Sequence, residues 1–286
     1  MPNEMRIDAF LPQEMAQKAE DLGVLKSKTP FPSLLALSVL AGAFIGLGAM
    51  FSTITAAGST TLPYGIARIL IGFTFCLGLI LVIIGGAELF TGNNLIVMAW
   101  ASRKVTSRSL LKNWLVVYIG NFIGSIGTAL LVFFTRQYTF NSGAIGLVAI
   151  NTAAGKLNLE FSQAIVLGIL CNVLVCLAIW LSFSARSTTD RILAIIFPVT
   201  AFVAASFEHS VANMYFVPYG LFIKNFDPAF VASLTGKVMD LSGLTWINFF
   251  TRNLLPVTIG NIIGGAGLVA VTYWFVYLSR KREYSC

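Results

Sequence analysis

The sequence predicts an all-α integral membrane protein whose six transmembrane helices form two inverted three-helix repeats, with the second and fifth helices broken. Of its 286 residues, 57% are apolar and only 11% are charged, whereas about 25% are charged in soluble globular proteins. Five long stretches contain no Asp, Glu, Lys or Arg: 29–67, 69–87, 113–135, 161–185 and 253–279. Since lipid cannot satisfy open backbone groups, these apolar segments must be helices.

The charge balance and the cysteines exclude two other classes of protein. The net charge of +7 comes from 19 basic and 12 acidic residues, and the basic residues cluster at the ends of apolar runs. That pattern is typical of membrane topology and not of nucleic-acid binding. One histidine and four cysteines without ligand spacing predict no metal and no cofactor.

Residues 1–33 precede the first apolar run and contain five acids and four bases. They lack the apolar core of a signal peptide. Leu11, Met15, Ala19 and Leu22 are spaced by three or four residues, so they form one face of a helix. We expect a cytoplasmic amphipathic segment whose helix lies on the membrane surface.

The first repeat is expected over residues 34–135. Its apolar segments are 34–57, 66–87 with 89–102, and 113–135. Glu88 interrupts the middle one and leaves a short charge-free piece, 89–102. Because a helix of this length rises only about 21 Å and the hydrocarbon layer is about 30 Å thick, the piece is predicted to be half of a broken helix.

The second repeat is expected over residues 161–278, after an outer connection at 136–160. Its apolar segments are 161–185, 192–207 with 210–223, and 248–278. Glu208 and His209 interrupt the middle one, and a charge-free piece of equal length follows again, 210–223. Matched interruptions in the second span of each half point to a binding site at the bilayer midplane.

An internal repeat supports this division. Residues 119–124 read Ile-Gly-Asn-Phe-Ile-Gly and residues 259–264 read Ile-Gly-Asn-Ile-Ile-Gly, so five of six positions match. Each half has three spans, an odd number, so the second half must start on the opposite side of the membrane. The two halves are therefore predicted to be inverted.

The Lys and Arg residues predict the orientation. With both termini and the tail 279–286 in the cytoplasm, 13 of the 19 basic residues lie on the inner side. The six on the outer side are Arg68, Arg136, Lys156, Lys224, Lys237 and Arg252.

Two acids and the only histidine lie at membrane depth, where a charge costs at least about 2.5 kcal/mol. One interpretation is that Glu88 and Glu208 each cap the half-helix that follows. For Glu208, a network with Lys156 and Asn213 is an equal alternative. His209 can exchange a proton near neutral pH, so we expect it to act in transport.

Asn172, in the middle of the fourth span, has two open interpretations. A membrane asparagine either bonds neighbouring helices together or lines a pore. Three phenylalanines fall close enough to the interruptions to narrow such a pore: Phe75, Phe90 and Phe202.

Four segments resemble the signatures of the formate/nitrite transporter family. They are 86–92 (Gly-Ala-Glu-Leu-Phe-Thr-Gly), 168–178 around Cys171-Asn172, 207–213 (Phe-Glu-His-Ser-Val-Ala-Asn) and 253–261 (Asn-Leu-Leu-Pro-Val-Thr-Ile-Gly-Asn). The resemblance extends from about residue 8 to residue 278 and is strongest to the formate channels. It implies an aquaporin-like protomer in a homopentamer that conducts formate and related small anions across the bacterial inner membrane, and no enzyme activity.

The resemblance also implies roles for individual residues. The central pore would contain His209, its hydrogen-bond partner Thr91, and Asn172. Leu79, Phe90 and Val175 match the inner hydrophobic constriction, Phe75 and Phe202 match the outer one, and Leu89 is assigned to the constrictions as well. The polar network at the outer entrance would be Lys156, Glu208 and Asn213. Gly92 stands where some formate channels carry serine, a difference seen in nitrite-type members.

Several alternatives stay open at this point. The preferred anion could be nitrite or hydrosulfide, and transport could be channel-like or proton-coupled. An aquaporin-like channel for neutral solutes would carry two Asn-Pro-Ala boxes, which this chain lacks. A membrane enzyme that uses Glu88, Glu208 and His209 would need a nucleophile or a metal set. A cytosolic metabolic enzyme is a further candidate partner for the N-terminal segment, although the sequence does not show it.

Overall fold

The computed structural model describes residues 9–59 and 61–279, and all regular structure in this part of the chain is helical. The helices are α1 (Pro12–Ser27), α2 (Phe31–Gly58), α3 (Tyr64–Gly85), α4 (Val97–Ala101), α5 (Ser107–Phe134), α6 (Ala144–Leu157), α7 (Phe161–Ser184), α8 (Thr188–Ala204), α9 (Ser210–Phe226), α10 (Pro228–Ser233) and α11 (Trp246–Tyr277). Short 3₁₀ turns lie at Gly92–Ile96 and Gln137–Thr139. Two segments of α11 are π-helical, Phe249–Leu254 and Ile263–Val271. Four basic residues counted on the inner side, Arg6, Arg280, Lys281 and Arg282, lie outside the described residues.

Among the described residues, five helices are long and apolar enough to cross a membrane: α2, α3, α5, α7 and α11. Their mean hydropathy ranges from 1.9 to 2.7, and their lengths range from 22 to 32 residues. Helices α8 and α9 have 17 residues each and are therefore shorter than these five. The prediction of an all-helical membrane protein with several apolar helices is confirmed.

The repeated motif lies where long helices make their closest contacts. A Cβ atom on Gly124 of α5 would come within 1.9 Å of the Val39 carbonyl oxygen of α2. A Cβ atom on Gly264 of α11 would come within 2.2 Å of the Ile169 carbonyl oxygen of α7. Because only glycine fits at such a distance, the two motifs bring α5 onto α2 and α11 onto α7.

Helix α1 forms as expected, but it does not lie free on a surface. Met15, Ala16 and Ala19 are buried in a cluster with residues of α4 and α11. Gly23 lets α1 approach closely, since a Cβ atom there would lie 3.1 Å from the Ala99 Cβ. Small residues on one face of α1 therefore fit it to the protein, which corrects the expectation of a helix lying on the membrane surface.

The connection 136–160 contains a helix that the sequence analysis did not anticipate. Helix α6 has 14 residues and packs against α9 and α2. Ile150 and Ala153 are fully buried there. The charge-free run 137–155 contains most of α6, but it was predicted as a connection and not as a helix.

Candidate functional site

Two short non-helical segments, which we call the first linker (86–91) and the second linker (205–209), follow α3 and α8. Helix α3 ends at Gly85, and Gly86 after it adopts the left-handed conformation with φ of 74°. The Ala87 N–H then donates to the Val82 carbonyl at 2.9 Å. This six-residue closure is a common way to end a helix, and it usually requires glycine.

The second linker begins with the same turn. Ser206 is left-handed with φ of 59°, and the Phe207 N–H donates to the Phe202 carbonyl at 3.0 Å. Ser206 stands two positions before Glu208, just as Gly86 stands two positions before Glu88, so the two turns occupy matching places. Here, however, the left-handed residue carries a side chain.

An asparagine of the repeated motif holds the first linker. Asn121 Nδ2 donates to the carbonyl oxygens of Ser38 (2.8 Å) and Glu88 (2.9 Å). Asn121 Oδ1 accepts from the Phe90 N–H at 2.9 Å. One buried side chain thus satisfies two backbone groups of the linker that no helix can satisfy.

The matching asparagine holds the second linker in the same manner. Asn261 Nδ2 donates to the carbonyl oxygens of Gly168 (2.8 Å) and Glu208 (3.0 Å). Asn261 Oδ1 accepts from the Ser210 N–H at 2.9 Å. The repeated motif was recognisable in the sequence, but these roles of Asn121 and Asn261 were not predicted from it.

The carboxylate of Glu208 belongs to a buried set of side chains, which we call the Lys156 network. Lys156 Nζ lies 2.8 Å from Glu208 Oε1, and Asn213 Nδ2 donates to Glu208 Oε2 at 2.7 Å. Asn213 also donates to Asn253 Oδ1 at 2.8 Å, and Asn253 Nδ2 donates to the Lys156 carbonyl at 3.0 Å. The structure therefore brings together the three residues that were expected to form the entrance network.

An equivalent set of side chains surrounds Glu88, and we call it the Lys26 network. Lys26 Nζ lies 2.9 Å from both Glu88 oxygens, and Asn93 Nδ2 donates to Glu88 Oε2 at 2.7 Å. Asn93 also donates to Asn113 Oδ1 at 2.9 Å, and Asn113 Nδ2 donates to the Lys26 carbonyl at 3.2 Å. The interpretation of Glu88 as a helix cap is wrong, because side chains and not backbone amides bind its carboxylate.

His209 caps α9 and contacts the first linker through its two ring nitrogens. Its Nδ1 accepts from the Ala212 N–H at 3.0 Å, so His209, and not Glu208, is the cap of this helix. Its Nε2 lies 2.9 Å from Thr91 Oγ1. Because Nδ1 is an acceptor, the neutral ring carries its proton on Nε2 and donates it to Thr91.

Comparison with known proteins shows which family has this arrangement. The sequence model described as Formate/nitrite transporter matches residues 13–275. The chain belongs to the formate/nitrite transporter family. Formate channel FocA of Escherichia coli (strain K12) is 44% identical over 279 residues, which are 97% of this chain and 98% of that protein. Formate channel FocA of Haemophilus influenzae is 38% identical over 265 residues, which are 92% of this chain and 93% of that protein.

Solved structures give the same result. A chain described as a pentameric formate channel with formate bound is 44% identical, with a TM-score of 0.81 over 87% of this chain and 98% of that chain. A second, described as an FNT family ion channel, is 26% identical, with a TM-score of 0.75 over 93% of this chain and 98% of that one. The likeness therefore covers both the sequence and the fold of the transporter family.

In this member of the formate/nitrite transporter family, two cavities approach the linkers. The Arg68 cavity, of about 560 Å³, is lined by Arg68, Phe75, Lys156, Phe202 and His209 among others. The Lys26 cavity, of about 480 Å³, is lined by Lys18, Lys26, Glu88, Leu89 and Arg191 among others. They share no lining residue in the described part of the chain.

The six expected constriction residues are all buried, but they lie in different places. Phe75 and Phe202 meet edge to face with ring centroids 5.7 Å apart, and the Phe202 ring stacks 6.0 Å from His209. Leu89 lines the Lys26 cavity. The other three are core residues that line neither cavity: Leu79, Phe90 and Val175.

Asn172 acts as a link between helices in this structure. Its Nδ2 donates to the Asn261 carbonyl at 2.7 Å and to the Thr91 carbonyl at 3.3 Å. Its buried Oδ1 has no hydrogen-bond partner among the described residues. These bonds support the interpretation that Asn172 joins neighbouring helices. Its Oδ1 remains available to accept a hydrogen bond.

Lys26, Asn113 and Asn253 were not predicted from the sequence as members of the two networks. The internal repeat could have revealed two of them. Asn113 and Asn253 are separated by the same interval as the two copies of the repeated motif, so they occupy matching places in the third and sixth spans.

Proposed function

We propose that this protein is a channel for formate, a small monovalent anion, with one pore in each protomer and no enzymatic step. The observation that carries the proposal is the 44% identity to a protein named a formate channel, over 97% of this chain. A solved structure at the same identity is described with formate bound, which supports the same substrate. A homopentamer follows from the pentamer named in that description.

The architecture we infer is two inverted repeats, 34–135 and 161–278, joined at 136–160. The six spanning units are α2, α3 with α4, α5, α7, α8 with α9, and α11, and the linkers are the breaks in the second and fifth units. The support is that each linker carries the same turn, the same asparagine clamp and the same lysine–glutamate pair. An inverted repeat is expected to place the same local structure at both breaks.

We infer an inner-membrane location with both termini and the segment 1–33 in the cytoplasm. Its support is the 13 to 6 distribution of basic residues. The Arg68 cavity is then the outer vestibule, and the Lys26 cavity is the inner one. A cytosolic enzyme bound to the N-terminal segment stays a prediction.

The chemistry of the site favours a small carboxylate. Cations at both cavities attract an anion, while the apolar rings of Phe75 and Phe202 resist a charge. His209 donates its Nε2 proton to Thr91, so the Thr91 hydroxyl keeps its own proton to donate to a carboxylate oxygen. A second proton on His209 would displace the Ala212 cap from Nδ1, and this opposes storage of the proton on the ring.

Formate flux into liposomes between pH 5 and pH 8 tests the function. The wild-type protein is expected to carry formate faster than empty liposomes at every pH, and His209→Phe is expected to lower the rate, because the variant loses the ring that bonds Thr91. Tyr64→Phe, at an exposed position, serves as the control. Flux no faster than through empty liposomes would overturn the proposed function. A wild-type rate and profile in His209→Phe would overturn the role of His209 alone.

Nitrite is a second candidate substrate, favoured by the residue next to Thr91. A Cβ atom on Gly92 would lie 2.6 Å from Ile179 Cδ1, so serine at this position requires the isoleucine to move. Competition for formate uptake by nitrite and by hydrosulfide, each at equal concentration, ranks the three anions. Stronger inhibition of labelled-formate uptake by nitrite than by the same concentration of unlabelled formate would make nitrite the main substrate.

A further inference from the structure

The two linkers begin with the same turn, but they do not place the same residue in its left-handed position. That residue is Gly86 in the first linker and Ser206 in the second. Glycine adopts this conformation freely, whereas the Cβ of serine clashes with its own backbone. The second linker therefore needs a stabilising contact that glycine makes unnecessary in the first.

Arg68 supplies such a contact from α3. Its Nε donates to the Ala204 carbonyl at 2.9 Å, and its Nη2 donates to the Val203 carbonyl and to Ser206 Oγ, the latter at 2.7 Å. The first two acceptors are the last carbonyls of α8, where a positive charge is favourable. The third acceptor is the side chain of the left-handed residue itself. One guanidinium thus joins the end of α8 to the turn.

The turn leads directly to the residues of the site. Glu208 and His209 follow Ser206 within three positions, and both line the Arg68 cavity together with Arg68. A shift of the turn would move the ring of His209 relative to Thr91, its partner in the first linker. A displacement of about 1 Å at a reacting group can lower a rate by about 100-fold.

We propose that Arg68 is a positioning residue, which sets His209 against Thr91 by holding Ser206 in the left-handed turn. This rests on the proposed formate channel, in which His209 is a central group. The alternative is that Arg68 acts as a charge that attracts anions into the vestibule. The two roles predict different rescues. If Arg68 holds the turn, Ser206→Gly should make Arg68 unnecessary. If Arg68 acts only as a positive charge, lysine at position 68 should substitute for it.

The experiment compares Arg68→Gln, Arg68→Lys, Ser206→Gly and the double variant Arg68→Gln/Ser206→Gly in liposomes. Arg252→Gln is the control, because Arg252 is exposed and does not line the cavity. One readout is formate flux, separated into maximal rate and apparent KM. The other is the imidazole resonances in the NMR spectrum of histidine-labelled protein without a histidine tag. His209 is the only histidine of the chain, so these resonances report its position alone.

We expect Arg68→Gln and Arg68→Lys each to lower the maximal rate about tenfold, to change the apparent KM by less than about twofold, and to shift the His209 resonances. Lysine is not expected to replace Arg68, because a single ammonium group cannot reproduce the planar set of N–H donors of the guanidinium. Ser206→Gly alone keeps the wild-type rate within about twofold, and in the double variant it restores both rate and resonances. The control is expected to match the wild type.

Three results would overturn the proposal: a wild-type rate in Arg68→Lys, slower flux in Arg68→Gln with unshifted resonances, or no restoration in the double variant. If Arg68→Gln fails to assemble, recovery of assembly by the added Ser206→Gly supports the clamp, and continued failure contradicts it. If the wild-type protein carries no formate, the proposed function fails, and the resonances of the four variants still decide the role of Arg68.

Discussion

At the scale of single residues, the site is built from side chains that do two things at once. His209 caps α9 with one ring nitrogen and contacts Thr91 with the other. Asn121 and Asn261 each bond the carbonyl of a linker glutamate and a nearby backbone N–H, and each also bonds a carbonyl of a neighbouring helix. Because every such bond is buried, the loss of one partner leaves another group without a hydrogen bond.

Thr91 is the residue at which this coupling is most directly tested. Thr91→Val removes the acceptor for the Nε2 proton of His209 and leaves a buried donor unpaired, at a cost of about 1–3 kcal/mol. We expect slower formate flux in Thr91→Val than in Thr91→Ser, which keeps the hydroxyl. Equal flux in the two variants, measured in the same liposomes, would contradict a role for the hydroxyl.

The two lysine–glutamate pairs are expected to differ in their contribution to stability. The side chain of Lys156 is 16% exposed, and that of Lys26 is 32% exposed. Lys156→Met leaves the Glu208 carboxylate buried without a counter-ion, which destabilises a protein by about 3–5 kcal/mol. Lys26→Met leaves Glu88 closer to water, so we expect a smaller loss.

Thermal unfolding in detergent measures this difference. The double variant Lys156→Met/Glu208→Gln should recover most of the melting temperature that Lys156→Met loses, because it no longer buries an unpaired charge. If Lys26→Met is less stable than Lys156→Met, the exposed fraction of the lysine side chain does not determine how much stability its removal costs.

At the scale of helices, the repeated motif makes a paired prediction about packing. Gly124→Ala drives a Cβ atom into the Val39 carbonyl, and overpacking of this kind costs about 1–3 kcal/mol. Gly127, one turn further along α5, has open space around its Cβ position. Gly127→Ala should raise stability slightly, since alanine favours helix by about 1 kcal/mol over glycine. Melting temperatures that fall equally in the two variants would exclude close packing as the reason for the motif.

The attachment of α1 depends on a carboxylate and should therefore depend on pH. Burial raises the pKa of Glu20, but its hydrogen bonds to Lys104, Ser102 and Gln17 outweigh burial and hold the pKa below its usual 4.5. A depressed pKa stabilises the attached state above the usual pKa, and this stabilisation is lost as the pH falls through the lowered value. Exchange-corrected hydrogen exchange in α1 should be slow from pH 5 to pH 8 and become faster as the pH falls below 4.5, and Glu20→Gln should remove the difference.

The sequence predicted the parts of the fold that follow from local pattern. Charge-free runs located the long helices, and the acids at 88 and 208 located both linkers, because a charge at membrane depth is rare. Helix α6 and the docking of α1 could not be predicted, since both depend on surfaces that other helices present. Lys26 was missed for the same reason: it lies on α1, 62 residues before Glu88, and only the docking of α1 brings the two together.

At the scale of the whole molecule, the two linkers show how one design is used twice. The left-handed turns, the asparagine clamps and the lysine–glutamate pairs correspond, but their supports differ. Lys156 comes from α6, which is packed in the body of the protein, and Lys26 comes from α1, at the start of the described chain. Likewise, Gly86 forms its turn unaided, whereas Ser206 is bonded to Arg68. We therefore expect the two ends of the pore to differ in function because of these supporting residues and not because of the carboxylates.

The inverted repeat proposed above requires that loops of equivalent position in the two halves face opposite sides of the membrane. The exposed Thr189, at the start of α8, should face the cytoplasm, and the exposed Thr61, in the equivalent connection between α2 and α3, should face outward. In a Cys286→Ser background the other three cysteines are buried, so a new cysteine is the reactive one. We expect a membrane-impermeant maleimide to label Thr61→Cys in intact cells and Thr189→Cys only after the cells are opened. The physical reason is that the basic residues near Thr189 are retained on the cytoplasmic side. Labelling of both cysteines in intact cells would place the two loops on one side, and the second half could then not be an inverted copy of the first.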